Sequence, residues 1–172
     1  MKKIIMLLLI SIVFIFGLCA QTVRLAYIDS NRIMAESNDT REAQRIFQSD
    51  REAWDEEIDD LTAEVRRLET ELETRRLTLT ESGKREVEDR ISAKIRERQQ
   101  LLERIYGENG LAETRNAELL APIMTKLRTI IDRIADDENY SMIFDASTSG
   151  IIYANDRMDI TTQVIEEMNK VN

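Results

Sequence analysis

The sequence predicts a predominantly helical α+β protein. A small β-body, built from one early strand and a C-terminal strand hairpin, carries a long antiparallel coiled-coil hairpin as an arm, and several bodies assemble into an oligomer. Three observations point there. The middle of the chain holds a 3.5-residue apolar period. The only β-patterned segments lie at opposite ends of the mature chain. The composition, with 33% charged residues, 5% aromatics, five glycines and one proline in 172 residues, favours long exposed helices over a globule. That length suits one domain with an extension rather than two cores.

The first twenty residues read as a leader. Lys2 and Lys3 precede an apolar run from Ile4 to Leu18, broken only by Ser11 and Gly17, and the chain turns polar after Cys19 and Ala20. A basic start, a short apolar run and a small residue at the break describe a cleaved secretory signal; a membrane span needs about 20 apolar residues. The expected organisation is a signal over 1–20 and one mature domain over 21–172, with 21–45 and 120–172 as body and 46–119 as arm. Cleavage after Ala20 removes the lone cysteine. A rival reading makes Cys19 a lipid-modified first residue, although Leu18 is bulky for that. Outside the inner membrane of a bacterium there is no ATP supply, which argues against a nucleotide-driven mechanism.

Val23 to Asp29 alternates as a strand. Helical pattern follows from Asn31 to about Asn139. Within it Phe47, Trp54, Ile58, Leu61, Val65, Leu68, Leu72 and Leu79 are separated by 7, 4, 3, 4, 3, 4 and 7 residues, a coiled-coil seam. Thr80-Glu81-Ser82-Gly83 breaks it with cap-forming hydroxyls and a glycine. Val87, Ile91, Ile95, Leu102 and Ile105 resume an apolar stripe, so the two limbs fold back as a helical hairpin. Limbs of roughly 45 residues reach about 65–70 Å. Gly107 and Gly110 predict a bend in the return limb, and Pro122 a kink.

The C-terminal region contains two apolar runs, Tyr140 to Ala146 and Ile151 to Ala154, around Ser147-Thr148-Ser149-Gly150, which reads as a hairpin. Asp159 then caps a short helix whose face carries Ile160, Val164 and Met168. About 20 strand residues cannot bury a core alone. The bodies are therefore expected to associate through Leu25, Tyr27, Met142, Phe144, Ile152 and Tyr153.

Catalytic and cofactor chemistry finds little support. The chain has no histidine and one cysteine, which excludes Ser-His and Cys-His nucleophile schemes, His-ligated metals and Cys-based zinc sites. No paired carboxylate and base constellation stands out, and no catalytic residue, cofactor or metal is expected. Glu81-Ser82-Gly83-Lys84 lacks the upstream glycine of a phosphate loop and has Arg85 in place of its hydroxyl. Asp145-Ala-Ser147-Thr-Ser149-Gly150 is like half a calcium loop, yet it runs into a strand-forming segment and reads as a turn. Asp136-Asp137-Glu138 reads as a helix end in water, and Trp54 as a seam residue.

The opening Leu25-Ala26-Tyr27-Ile28-Asp29-Ser30-Asn31-Arg32-Ile33 resembles the first strand and turn of the Skp/OmpH family of periplasmic chaperones. The ending is similar too, in Tyr140-Ser141-Met142-Ile143-Phe144-Asp145-Ala146, Gly150-Ile151-Ile152-Tyr153-Ala154 and, most specifically, Asp159-Ile160-Thr161. The order of elements matches over the whole mature chain. The resemblance implies a jellyfish-like homotrimer in the periplasm of a Gram-negative-type bacterium. Its arms would enclose unfolded outer-membrane proteins and prevent their aggregation without ATP. A second reading, from another class, is an exported coiled-coil scaffold or spacer of the envelope.

Charge is unevenly spread. Asp29 to Asp60 holds eleven acidic and four basic residues, whereas Arg66 to Arg98, around the arm tip, holds eight acidic and ten basic. Arg66, Arg67, Arg75, Arg76, Lys84 and Arg85 are thus candidates for contact with prey or with lipid headgroups. The alternative is a solvated surface tied by Glu–Arg pairs. Familiar members of the family are basic, while loss of Lys2 and Lys3 takes this chain from −9 to −11. That puts lipopolysaccharide binding in doubt, and acidity and export together disfavour nucleic acid.

Overall fold

The computed structural model describes residues 23–170; the expected leader, with Cys19 and Ala20, lies outside them. Strand β1, Leu25–Ile28, alternates so that Ala26 and Ile28 are buried while Leu25 and Tyr27 face outward. Helix α1, Ser30–Glu36, starts at once because the Asp29 carboxylate accepts from the Arg32 amide at 3.0 Å. The backbone breaks at Ser37, whose hydroxyl accepts from Thr40 N and starts helix α2, Asn38–Arg75. The 38 residues of α2 reach about 57 Å, somewhat short of the expected limb.

The turn at residues 76–80 falls where the hydroxyl cluster predicts, with the Thr80 hydroxyl accepting from Gly83 N at 3.1 Å to open helix α3, Glu81–Tyr106. The α2 seam holds: Val65 and Leu68 are buried, and Phe47, Trp54, Ile58, Leu61, Leu72 and Leu79 are half-buried. Trp54 packs edge-on against Phe47, with ring centroids 6.4 Å apart. The return stripe differs from expectation. Buried Val87, Leu101 and Ile105 set a seam in which Lys94 and Arg98 occupy the intervening positions, so Ile95 and Leu102 stand beside the contact rather than in it. Lys94 reaches Glu64 at 3.6 Å and Arg98 reaches the Thr62 hydroxyl at 3.4 Å. Their long stems fill the seam while their charged ends exit at its rim.

A second break lies at Gly107–Gly110, where Asn109 has φ 56° and Gly107 N bonds Glu103 O at 2.8 Å. Helix α4, Leu111–Glu138, then runs through Pro122 without interruption. Ile123, Leu127, Ile130 and Ile134 are its buried face, and Asn139 at φ 57° closes it. Among the described residues no helix is long and apolar enough to cross a membrane.

Strand β2, Met142–Asp145, pairs parallel to β1, with Leu25 opposite Met142 and Tyr27 opposite Phe144. This corrects the expected C-terminal strand hairpin. Among the described residues Ile151 to Ala154 is not a strand; β1 takes β2 on one side and a single parallel bridge from Asp159 on the other. A 3-10 turn, Asp156–Met158, leads to helix α5, Thr161–Asn169. The helix is capped at Ile160 without a side-chain cap bond rather than at Asp159 as expected; Asp159 accepts from Thr161 N at 2.8 Å from one residue earlier, while Ile160, Val164 and Met168 are buried as expected.

The protomer also has a core the strands alone do not account for. Ile33 and Ala43 from the arm root, the α4 face, and Ile160, Val164, Ile165 and Met168 close over Ala26 and Ile28. The root helices thus supply the apolar mass that the strand count lacks. Asn169 locks the Ser37 break from outside, donating to Glu36 O at 3.1 Å and accepting from Asn38 N at 2.8 Å.

At Gly110 an added Cβ would lie 2.6 Å from Ile105 O and 2.8 Å from Gly107 O. Gly110→Ala is therefore expected to lower stability in urea by about 1–3 kcal/mol. Gly83→Ala, whose Cβ would meet nothing nearer than the Thr80 hydroxyl at 3.3 Å, is expected to stay within about 0.5 kcal/mol.

Candidate functional site

Two surfaces carry the candidate residues: the outer face of the sheet and the arm tip. The first is held flat by a polar frame. Asp145, at the end of β2, accepts from the Ser30 hydroxyl at 2.6 Å, Ser30 N at 3.2 Å, the Ser147 hydroxyl at 2.7 Å and Ser147 N at 3.0 Å. Burial by itself would raise this carboxyl, but the bonds from Ser30 and Ser147 outweigh it and bring it from 3.8 down to about 2. The segment once comparable to a calcium loop is thus a turn closed on its own aspartate, with Ser149 N returning to Asp145 O at 2.9 Å.

Across the sheet, the Asp159-Ile160-Thr161 tripeptide has a structural task. Ile160 N donates to Tyr27 O at 3.0 Å, and the fully buried Thr161 hydroxyl accepts from Asp29 N at 2.9 Å. The end of β1 is therefore pinned to the start of α5. At the other end Arg24 stacks over the Tyr140 ring at 4.7 Å and pairs with Glu138 at 3.7 Å. Gln163 donates to Glu138 at 2.6 Å, and this bond, followed by one from Tyr140, holds the Glu138 carboxyl below its usual range.

The face so framed is apolar and open. Leu25, Tyr27 and Phe144 are half-buried, Met142 is 54% exposed, Ile152 is fully exposed and Tyr153 is 85% exposed. Strand register brings Leu25 to Met142 and Tyr27 to Phe144. Tyr153 joins Tyr27 and Phe144 around a hollow completed by Ile151, Ala154 and Met158. Ile152 is not part of that hollow. Loss of solvent, then the Asp159 and Asp156 carboxylates, raise the Tyr27 hydroxyl.

At the tip, the six basic residues divide. Arg67 pairs with Glu64 at 3.7 Å, Arg75 with Glu71 at 2.9 Å and Lys84 with Glu81 at 2.7 Å. Among the described residues Arg66, Arg76 and Arg85 make no ion pair. Leu77, which sequence reasoning passed over, is 97% exposed in the turn beside Arg75 and Arg76. Sequence reasoning also missed Ser30 and Ser147; the spacing of Asp145 and Ser147, two residues apart, is the signal of a side-chain turn that exposes them.

The profile of the family described as "Outer membrane protein (OmpH-like)" matches residues 24–168. A crystal structure from Caulobacter crescentus CB15, described as an OmpH-like outer membrane chaperone, shares this fold. Its TM-score is 0.77 at 16% identity, over 86% of this chain and 84% of that one. No curated protein sequence matches the chain.

The folded Asp145 carboxyl lies below its ordinary value, so it stabilises the fold fully above about pH 4 and ceases to do so as pH falls through about 2. The stability gap between the native chain and Asp145→Asn in urea is thus expected to be largest above pH 4 and to narrow towards pH 2. Removal of the Thr161 hydroxyl in Thr161→Val leaves Asp29 N without its partner. A loss of about 1–3 kcal/mol in the same titration is expected.

Proposed function

Because the chain belongs to the OmpH-like family, the Skp/OmpH family of outer-membrane chaperones, we propose that it is an ATP-independent holdase of the periplasm. It surrounds unfolded outer-membrane proteins with coiled-coil arms and keeps them from aggregating before insertion. One observation carries the reading. The chain presents an open apolar sheet face, centred on Tyr27, Phe144 and Tyr153, at the root of an arm that projects away from it. Copies joined through that face make a closed body, and the arms then surround a common space.

Leu25, Tyr27, Met142, Phe144, Ile152 and Tyr153 become the core of a homotrimer body in this reading, with residues 21–45 and 120–172 as the body and 46–119 as the arm. The leader over residues 1–20 is removed on export, and the protein works without metal or cofactor and catalyses no reaction. The prey supplies the chemistry of recognition. An unfolded barrel protein exposes strand edges and lipid-facing apolar bands, which associate in water. Many weak contacts with the arms shield those bands without fixing one pose. Release follows when the membrane, or its insertion machinery, buries the apolar band more strongly, and so needs no fuel.

The unpaired tip residues Arg66, Arg76 and Arg85, with Leu77 between the limbs, suit peripheral contact with anionic headgroups or acidic prey. The exposed Leu77 also favours a second reading, an envelope scaffold whose tip grips one defined partner.

The native mass of the mature chain, and its ability to keep a urea-unfolded outer-membrane barrel protein soluble on dilution, separate these readings. A trimer that suppresses light scattering without nucleotide is expected; a trimer without that effect supports the scaffold, and a folded monomer defeats both. Ile152→Asp combined with Tyr153→Asp should lower the native mass to that of one chain while helical circular dichroism is retained, since both side chains are exposed in the protomer.

A further inference from the structure

The two edges of the arm differ in chemistry. On one edge, Lys94 bridges Glu64 at 3.6 Å and Glu97 at 2.8 Å, and Arg104 reaches Glu57 at 3.9 Å. This edge is zipped by charge. On the other edge of α3, Ser92, Ile95, Gln99, Leu102 and Tyr106 follow one another at 3, 4, 3 and 4 residues, and none carries a charge. That spacing keeps all five in one strip beside the seam. Ile95 is 40% exposed, Tyr106 is 44% exposed and Leu102 is half-buried. Tyr106 is held upright by its bond to Asp55 at 2.7 Å, and Arg98 touches Thr62 on the same side. Glu88 bounds the strip towards the tip.

We infer that this neutral strip is the part of the arm that touches bound prey, and that its ligand is an extended apolar segment of an unfolded polypeptide. The inference rests on the holdase reading and locates its contact surface. The area decides between occupants. Three partly exposed side chains offer on the order of 200–300 Å², far below the roughly 800 Å² per partner of a stable interface. A second arm would also need apolar residues at successive seam positions, where the strip has Ser92 and Gln99. A short extended chain needs neither. Its alternate side chains can rest on Ile95, Leu102 and Tyr106, while its backbone meets the hydroxyl of Ser92 and the amide of Gln99. Such contacts are weak singly and repeat on every arm.

The mature chain carrying p-benzoylphenylalanine in place of Ile95, Leu102, Glu97 or Arg104 tests this. Each form is mixed with a urea-unfolded eight-stranded outer-membrane barrel protein, diluted and irradiated. At least fivefold more cross-linked prey from positions 95 and 102 than from 97 and 104 is expected. Equal or reversed yields, or cross-links joining arm to arm, overturn the inference. Light scattering on the same mixtures reports the holdase reading separately, so suppression with the wrong cross-links removes only the strip, whereas no suppression removes both. As a second arm, Ile95→Gln with Leu102→Gln should lower the amount of prey held per chain at least threefold with an unchanged unfolding curve. Glu97→Gln with Arg104→Gln should leave holding unaltered; the opposite ranking also overturns the inference.

Discussion

Everything in the protomer depends on the pairing of β1 with β2, because that contact closes a very long loop. Ser30 and Asp145, which bond at 2.6 Å, are 115 residues apart. Closing so long a flexible loop costs about 4 kcal/mol in chain entropy, before any residue is ordered. The arm reduces that cost. The coiled-coil hairpin forms from contacts between its own limbs and returns the chain to its starting point, so the strands meet as neighbours of a rigid root. Asp145 and the Asp159-Ile160-Thr161 tripeptide then fasten β1 from both sides.

The frame also explains the one face left unsatisfied. Alternation along β1 sends Ala26 and Ile28 inward, where the α4 and α5 faces cover them, and necessarily sends Leu25 and Tyr27 outward. No helix of the described protomer covers that outer face as α4 and α5 cover the inner one. The open face is a consequence of a two-stranded sheet with helices on one side only. Apolar side chains on that face, such as Tyr153 at 85% exposure, are what the proposed association of copies would bury.

Much of this was legible in the sequence, where a repeating pattern or a strong local signal existed. The α2 seam from Phe47 to Leu72 repeats often enough to be unambiguous, and Thr80 and Gly83 announce the tip chemically. The α3 seam misled because Ile95 and Leu102 are more apolar than Lys94 and Arg98. Position against the partner helix, rather than hydrophobicity, decided which pair entered. The hairpin is a different case. Ile151 to Ala154 has strand propensity, yet the outer edge of β2, where a hairpin would place it, stays unpaired in the described protomer; propensity alone did not close the pairing. The root core was hidden because Ile33, Ala43 and Ile123 are far apart in sequence, and nothing in their local pattern says which of the other body segments each would meet.

The polar layer at Lys94 and Arg98 has a cost and a use. Two apolar residues there would pack better and would stabilise the arm. Lys94 meets Glu64 and Arg98 meets Thr62 at the rim of the seam, and because Glu57 and Glu71, and Asp55 and Glu69, stand one heptad to either side, these contacts tie the limbs together in whatever register the short turn at the tip sets. The turn at 76–80 fixes the register, the register fixes where α3 ends against α2, and the end of α3 places Gly107–Gly110 and the start of α4 that follows it. A slipped arm would carry α4 along its axis by about 10 Å per heptad, and Ile123, Leu127, Ile130 and Ile134 could no longer meet Ala26 and Ile28. The short turn at the arm tip, by setting the register, thus guards the β-pairing at the root.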